Sequence, residues 1–203
     1  MRLLNFMMKI KSNLRISIFG KVQSGKTTLA KLLIMMLDCR LIYDIKRQYS
    51  DFGVIVRSIS ELHSVFSAGC DKVVYQPNDI SIEHFNDVCK FIYFNVRNIT
   101  FIVEEVHSFC KKLLIPEYFN KLILLCEGDP YFIGVWSISQ RPANVHNDII
   151  TQSSIIVSFK LHPDDAKAVI MIPVNTILDL RQFCFAVFDD REYSENVKVY
   201  DPI

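Results

Sequence analysis

The 203-residue chain carries 23 Lys and Arg against 22 Asp and Glu, a net charge of +1. It lacks the diffuse basic surface of a protein that coats nucleic acid, so any contact with DNA has to be local. Half of its residues are hydrophobic, which suits a single α/β domain whose strands are buried on both faces. The six cysteines, Cys39, Cys70, Cys89, Cys110, Cys126 and Cys184, form no C-x-x-C pair. That argues against a zinc ribbon and leaves buried thiols as the expectation.

In chain order, the N-terminal MRLLNFMMKIK has only a brief apolar core and makes a poor signal peptide. The longest nearly apolar stretch, Leu29 to Leu37 around Lys31, is too short to cross a bilayer. The chain reads as soluble, intracellular and not itself transmembrane. Short β-rich runs then alternate with helical patterns. Strands are predicted at 15–19, 41–45, 54–58, 72–76, 100–104, 132–138, 154–159 and 182–188. Helices are predicted at 26–37, 59–67, 81–95, 117–127, 163–171 and 174–180. Ser81 stands before an amphipathic run and reads as a helix cap. Alternation of this kind implies βαβ units and a parallel sheet. The end of the chain differs, because polar DDREYSEN separates two strand-like runs and reads as an antiparallel hairpin.

Gly20-Lys21-Val22-Gln23-Ser24-Gly25-Lys26-Thr27 fits G-x-x-x-x-G-K-[ST] without a mismatch, with a strand before it and a helix after it. Loop amides and the helix N-terminus point at phosphates in such a segment. Its glycines permit the tight turn. Lys26 supplies a cation to the β- and γ-phosphates, Thr27 a hydroxyl to Mg²⁺, and Thr28 a contact to the α-phosphate. A nucleoside triphosphate with Mg²⁺ is therefore the expected ligand.

Further on, Asn98 to Phe109 reads NITFIVEEVHSF, a buried strand ending in two adjacent glutamates. Acids at the C-terminal edge of an open α/β sheet lie where such sheets place ligand chemistry. Alternation along a strand gives the pair different faces and different work. Glu104 is assigned to the Mg²⁺ shell and Glu105 to orienting and deprotonating the attacking water. His107 either polarises a neighbour or fills the following turn. A third strand, FIGVWSI, ends in Ser139-Gln140-Arg141-Pro142. If it lies between the phosphate-loop strand and the strand bearing Glu104, Gln140 sits beside the γ-phosphate.

Together GKVQSGKT, FIVEEVHSF and WSISQRPANV resemble the HerA/FtsK group of DNA-translocating ATPases. The short chain looks most like the genome-packaging ATPases of membrane-containing icosahedral viruses that infect archaea. The resemblance covers about 15–159, and LIYDIKRQYSDFG matches the group's second strand, with its terminal acid and polar turn. It implies an α/β P-loop NTPase of RecA/ASCE type: a mostly parallel sheet flanked by helices, with a C-terminal antiparallel hairpin. The expected domain is single and covers 1–203, with its core at about 14–160. The implied activity is ATP hydrolysis driving double-stranded DNA through a homo-oligomeric ring, a pentamer or hexamer. The implied setting is the host cell cytoplasm, with a capsid or membrane protein at the packaging vertex of the virion as a further partner. The chain departs from the group before the Gln140 strand. An arginine-rich turn is common there, and this chain has Cys126-Glu127-Gly128-Asp129-Pro130. Arg47, Arg57, Arg97 and Arg141 are the other candidates for an arginine that reaches a neighbour's γ-phosphate.

A nucleoside or nucleotide kinase shares the first motif but needs an arginine-rich lid, and 140–180 holds only Arg141, Lys160 and Lys167. A GTPase needs N-K-x-D, and Asn175-Thr176-Ile177-Leu178 does not supply it. Lys46-Arg47 and Lys111-Lys112 are local basic pairs, read as solvated surface ahead of DNA contacts.

Overall fold

A computed structural model describes residues 2–125, 128–192 and 197–202. Glu127 and Cys126 lie outside the described residues, as does 193–196 in the expected hairpin turn. Among the described residues nine strands form one sheet in the order β3-β4-β2-β5-β6-β1-β7-β8-β9. These are β1 (Ile16–Phe19), β2 (Arg40–Tyr43), β3 (Val54–Val56), β4 (Lys72–Tyr75), β5 (Ile99–Val103), β6 (Ile133–Ser139), β7 (Ile155–Phe159), β8 (Phe185–Asp189) and β9 (Val197–Tyr200). The first seven run parallel, and β8 and β9 add antiparallel pairings at one edge. All the residues of β1, β2, β5, β6 and β7 are buried, which is where the high apolar content goes.

The helices are α1 (Arg2–Met7), α2 (Lys26–Met35), α3 (Ile59–Ser67), α4 (Ile82–Asn95), α5 (Glu117–Leu125), α6 (Asn147–Thr151), α7 (Pro163–Ala168) and α8 (Val174–Leu178). Strand alternation sorts the core onto two faces. On one, Phe101 and Val103 of β5 pack with Phe85, Val88, Phe119 and Leu122 of α4 and α5. On the other, Ile18, Ile102 and Trp136 pack with Leu29, Leu33 and Ile34 of α2. A third cluster joins Phe19 and Ile156 to Ala166, Val169 and Ile177 around α7 and α8.

Most predicted elements are present with ends moved by one to three residues. Ser81 caps α4, its hydroxyl accepting from the His84 N–H at 3.2 Å. Two helices, α1 and α6, were not expected. Phe6 of α1 stacks toward Tyr200 with ring centres 5.5 Å apart, so the N-terminal stretch covers the hairpin. The segment before β1 crosses β6 so closely that a Cβ on Gly134 would lie 2.1 Å from the Ser12 carbonyl oxygen. The strand expected at 182–188 begins at Phe185, because Phe183 has a left-handed backbone with φ 65°.

Candidate functional site

Because β1 to β7 are parallel, their C-terminal ends lie along one edge, and the expected site residues gather there. The phosphate loop leaves β1 at Gly20, whose N–H donates to the Ser139 carbonyl at 3.3 Å. The loop closes at Gly25, where φ is 99° and the left-handed turn starts α2. It lies over Phe159 at the end of β7. A Cβ on Gly20 would meet Ser24 Oγ at 2.5 Å and Phe159 Cβ at 2.9 Å. The loop thus packs on Phe159 too closely for a side chain at Gly20, and Gly25 also needs its left-handed turn. A cleft of about 230 Å³ opens above it, lined by 21–28 with Lys46, Gln48 and Gln140. Lys26 is only 6% exposed, and Ser24 Oγ is buried without a hydrogen-bonding partner among the described residues.

Glu104 and Glu105 follow β5, which ends at Val103. The sequence reading divided their work by strand alternation. The structure corrects that reason. Glu104 still bonds in register, its N–H donating to the Tyr43 carbonyl at 3.2 Å, but Glu105 is left-handed (φ 53°) and starts a turn. Glu104 is 1% exposed. Its Oε2 accepts from Tyr49 Oη at 3.3 Å, and its Oε1 has no hydrogen-bonding partner among the described residues. Burial raises its pKa above the ordinary carboxylate value, and the Lys26 charge opposes that rise.

Glu105 is 3% exposed and has the opposite balance. Burial opposes its charge, but hydrogen bonds from Lys46 and Gln140, with the charges of Lys46 and Lys26, hold its carboxyl below the usual range. Both donors bond Glu105 Oε1. Its Oε2 lies 3.2 Å from His107 Nδ1 yet has no hydrogen bond among the described residues, because His107 Nδ1 shares its hydrogen bond with Ser139 Oγ at 2.9 Å. Burial lowers the His107 pKa, with Glu105 opposing and the nearby cations adding to the fall. The imidazole therefore stays neutral beside a charged carboxylate. Among the described residues, Glu105 Oε2 and Glu104 Oε1 are both buried acceptors without a hydrogen bond.

The strand order on which the reading of Gln140 depended is present. Strand β6 lies between β5 and β1, with Ser137 in register with Val103 and with Ser17. Gln140 lines the cleft and touches Glu105, so one amide joins the phosphate side to the carboxylate. Arg141 turns away, its Nε 3.4 Å from Asp165 Oδ2 on α7.

Lys46 was read from sequence as solvated surface; it is exposed, as read, and the structure adds that it bonds Glu105. The turn after β2 is built on Asp44, which is fully buried and accepts from the Gln48 and Tyr49 N–H groups at 2.9 Å each and from Gln76 Nε2 at 3.1 Å. The turn presents Lys46 and Gln48 to the cleft and Tyr49 to Glu104. A buried acid ending a strand, with an aromatic five residues on, was the available signal. Lys111 remains exposed, as read, with Lys112 beside it.

The residues fit a magnesium nucleotide. Thr27 lines the cleft, and Glu104 Oε1 is a buried acceptor without a donor. No cluster of three or more His, Cys, Asp and Glu able to hold a metal occurs among the described residues. Mg²⁺ is bound through one or two protein groups plus phosphates, and Thr27 and Glu104 are the groups that could supply them.

The fold, with its mostly parallel sheet and antiparallel edge, is shared with solved structures of ATPases. No protein-family model matches the chain, and no curated protein matches it. Among solved structures it is similar to the genome-packaging NTPase B204 of Sulfolobus turreted icosahedral virus 2 in complex with ATPγS. The TM-score is 0.77 and the identity 17%, over 96% of this chain and 100% of that one. It is also similar to B204, the DNA-packaging ATPase of Sulfolobus turreted icosahedral virus (TM-score 0.76, 18% identity, 96% and 100% covered). VirB4 of Thermoanaerobacter pseudethanolicus follows at a TM-score of 0.63 and 9% identity, with 92% and 90% covered. At these identities the likeness is one of fold.

Proposed function

We propose that the chain is an ATP-hydrolysing motor that translocates double-stranded DNA through a homo-oligomeric ring and packages a viral genome into a preformed capsid. The observation that carries this reading is the insertion of β6 between β1 and β5, which sets Gln140 between the phosphate loop and a charged, buried Glu105. The neighbours lend support, since B204 is a genome-packaging NTPase with ATP analogues bound.

In this reading the amides of Gly20, Lys21, Val22, Gln23, Ser24 and Gly25 hold the phosphates. Lys26 offsets their charge, and Thr28 adds a contact to the α-phosphate. Thr27 and Glu104 hold Mg²⁺, which when bound neutralises charge developing on the phosphate oxygens. Glu105 Oε2 accepts the proton of the attacking water while Lys46 and Gln140 keep the carboxylate ionised. Gln140 joins the γ-phosphate to Glu105 and passes hydrolysis on through β6. The chain works as one ATPase domain, with its core at about 14–160. It assembles in the host cytoplasm and docks on a capsid or membrane protein at the packaging vertex.

A kinase lid finds no place. In the region where one would be expected, Ala166, Val169, Ile172 and Ile177 are packed into the core. The test is ATP turnover with and without linear duplex DNA, for the wild type and Glu105→Gln. DNA-stimulated turnover that Glu105→Gln abolishes is expected. Turnover that responds to a small phosphoryl acceptor and ignores DNA would overturn the motor.

A further inference from the structure

Phe183 is an unusual residue for its position. Its φ of 65° is left-handed, an outlier for a bulky aromatic. Strain of this kind persists only where the surroundings over-determine it, and it clusters at ligand clamps. The surroundings are a tight turn in which the Cys184 N–H donates to the Arg181 carbonyl at 3.2 Å. Leu180, Cys184 and Phe185 on either side are buried, while Phe183 is 45% exposed. The turn thus leaves an apolar ring outside, next to the exposed Arg181 and Gln182 and ahead of the buried start of β8.

The ring stands against the phosphate loop, since a Cβ on Gly25 would lie 3.4 Å from Phe183 Cδ1. Strand β8 runs antiparallel to β7 with Phe185 opposite Phe159, so the start of β8 shares the edge that carries the loop. Gln140 and Glu105 flank the loop on the β6 and β5 side, and Phe183 flanks it on the β7 and β8 side. A nucleoside triphosphate whose γ end faces Gln140 and Glu105 runs its α end past Thr28 and its base away from them, toward Phe183.

We propose that the exposed ring of Phe183 is a stacking platform for the nucleobase, on the β7–β8 side of the phosphate loop. The proposal rests on the reading of the cleft as a nucleotide site and adds the part of the nucleotide that the loop does not hold. Among the charged groups nearby, Arg181 is paired with Asp201 at 3.3 Å. What the exposed ring itself offers is stacking on the π-face, which every base has and which the larger purines offer more of. ATP and GTP should bind within a fewfold of one another, and both more tightly than CTP or UTP.

The experiment titrates the full chain, Phe183→Ala and Phe183→Trp with ATP and with inorganic tripolyphosphate, each with Mg²⁺. The wild type should prefer ATP. Phe183→Ala should weaken ATP by about tenfold, the scale of a lost base–aromatic stack, and leave tripolyphosphate unchanged. Phe183→Trp should keep ATP affinity and add a fluorescent indole to a chain whose one other tryptophan, Trp136, is fully buried. ATP should quench that added fluorescence, and tripolyphosphate should not. Unchanged ATP affinity in Phe183→Ala, equal losses for both ligands, or an added indole indifferent to ATP would each overturn the platform. The first of these leaves the phosphate site standing. A wild type that binds neither ligand would overturn the nucleotide reading itself, and the platform with it.

Discussion

Glu105 is buried yet held ionised, while Glu104, one residue earlier, is pushed toward its neutral form; the charges of Lys26 and Lys46 act on both, and the difference is the hydrogen bonds that Lys46 and Gln140 give Glu105. Lys46 and Gln140 occupy Oε1 of Glu105 and leave Oε2 open. Glu105→Gln should keep Mg·ATP binding and lower turnover by about 10² to 10⁴, the range for a general base, as read by nucleotide titration and steady-state ATPase assays. Lys46→Ala removes a group that lowers the Glu105 pKa. A base works only when deprotonated, so the acid limb of the pH–rate profile should move to higher pH, and an unmoved limb would count against Lys46. Glu104 has the reverse sign. With its folded pKa raised, the stability it contributes is fully present below the ordinary carboxylate value and is lost as pH rises through the raised value. Glu104→Gln should therefore raise the neutral-pH Tm of the nucleotide-free protein by about 2–4 °C per kcal/mol recovered, flatten the acid side of the stability curve, and weaken the Mg²⁺ dependence of turnover. A lower Tm for this variant would contradict the assignment.

At the scale of elements, the site depends on turns more than on strands. Gly134 lets the N-terminal segment cross β6, so Gly134→Ala should cost about 3 kcal/mol through its collision with the Ser12 carbonyl, measured by denaturant unfolding. The loss should appear as stability with the phosphate-loop chemistry intact in the remaining folded protein. The sheet was legible because its strands are short apolar runs bounded by turn residues, and the phosphate loop, the paired glutamates and Gln140 all stand at strand ends. The rest was hidden for physical reasons. The left-handed residues Glu105 and Phe183 break alternation with side chains that give no warning of it. Lys46 looks like any surface lysine until Asp44, buried and bonded to the Gln48 and Tyr49 amides, turns the chain toward the cleft.

For the whole molecule, the open question in the sequence is the arginine that completes the charge balance, a contact worth about 10³ to 10⁵ in rate in this class of reaction. Arg141 is tied to Asp165. Arg97 donates to the Val96 carbonyl at 2.6 Å and lies over the Tyr131 ring, 4.4 Å from its centre. Arg47 and Arg57 are exposed at the edge that carries the site, on the turns after β2 and β3. If the proposed ring forms, Arg47 and Arg57 are the first candidates for a cation that reaches a neighbouring subunit's site. An alanine variant of one of them should bind ATP normally, fail to hydrolyse it, and poison wild-type rings on mixing. The most direct test of the central claim is ATP turnover per subunit across a protein dilution series, with and without linear duplex DNA, with oligomeric mass measured on the same samples. Turnover per subunit should rise steeply as rings assemble and rise again with DNA, which favours the assembled state by mass action. Constant turnover per subunit down to pure monomer, indifferent to duplex DNA, would contradict it.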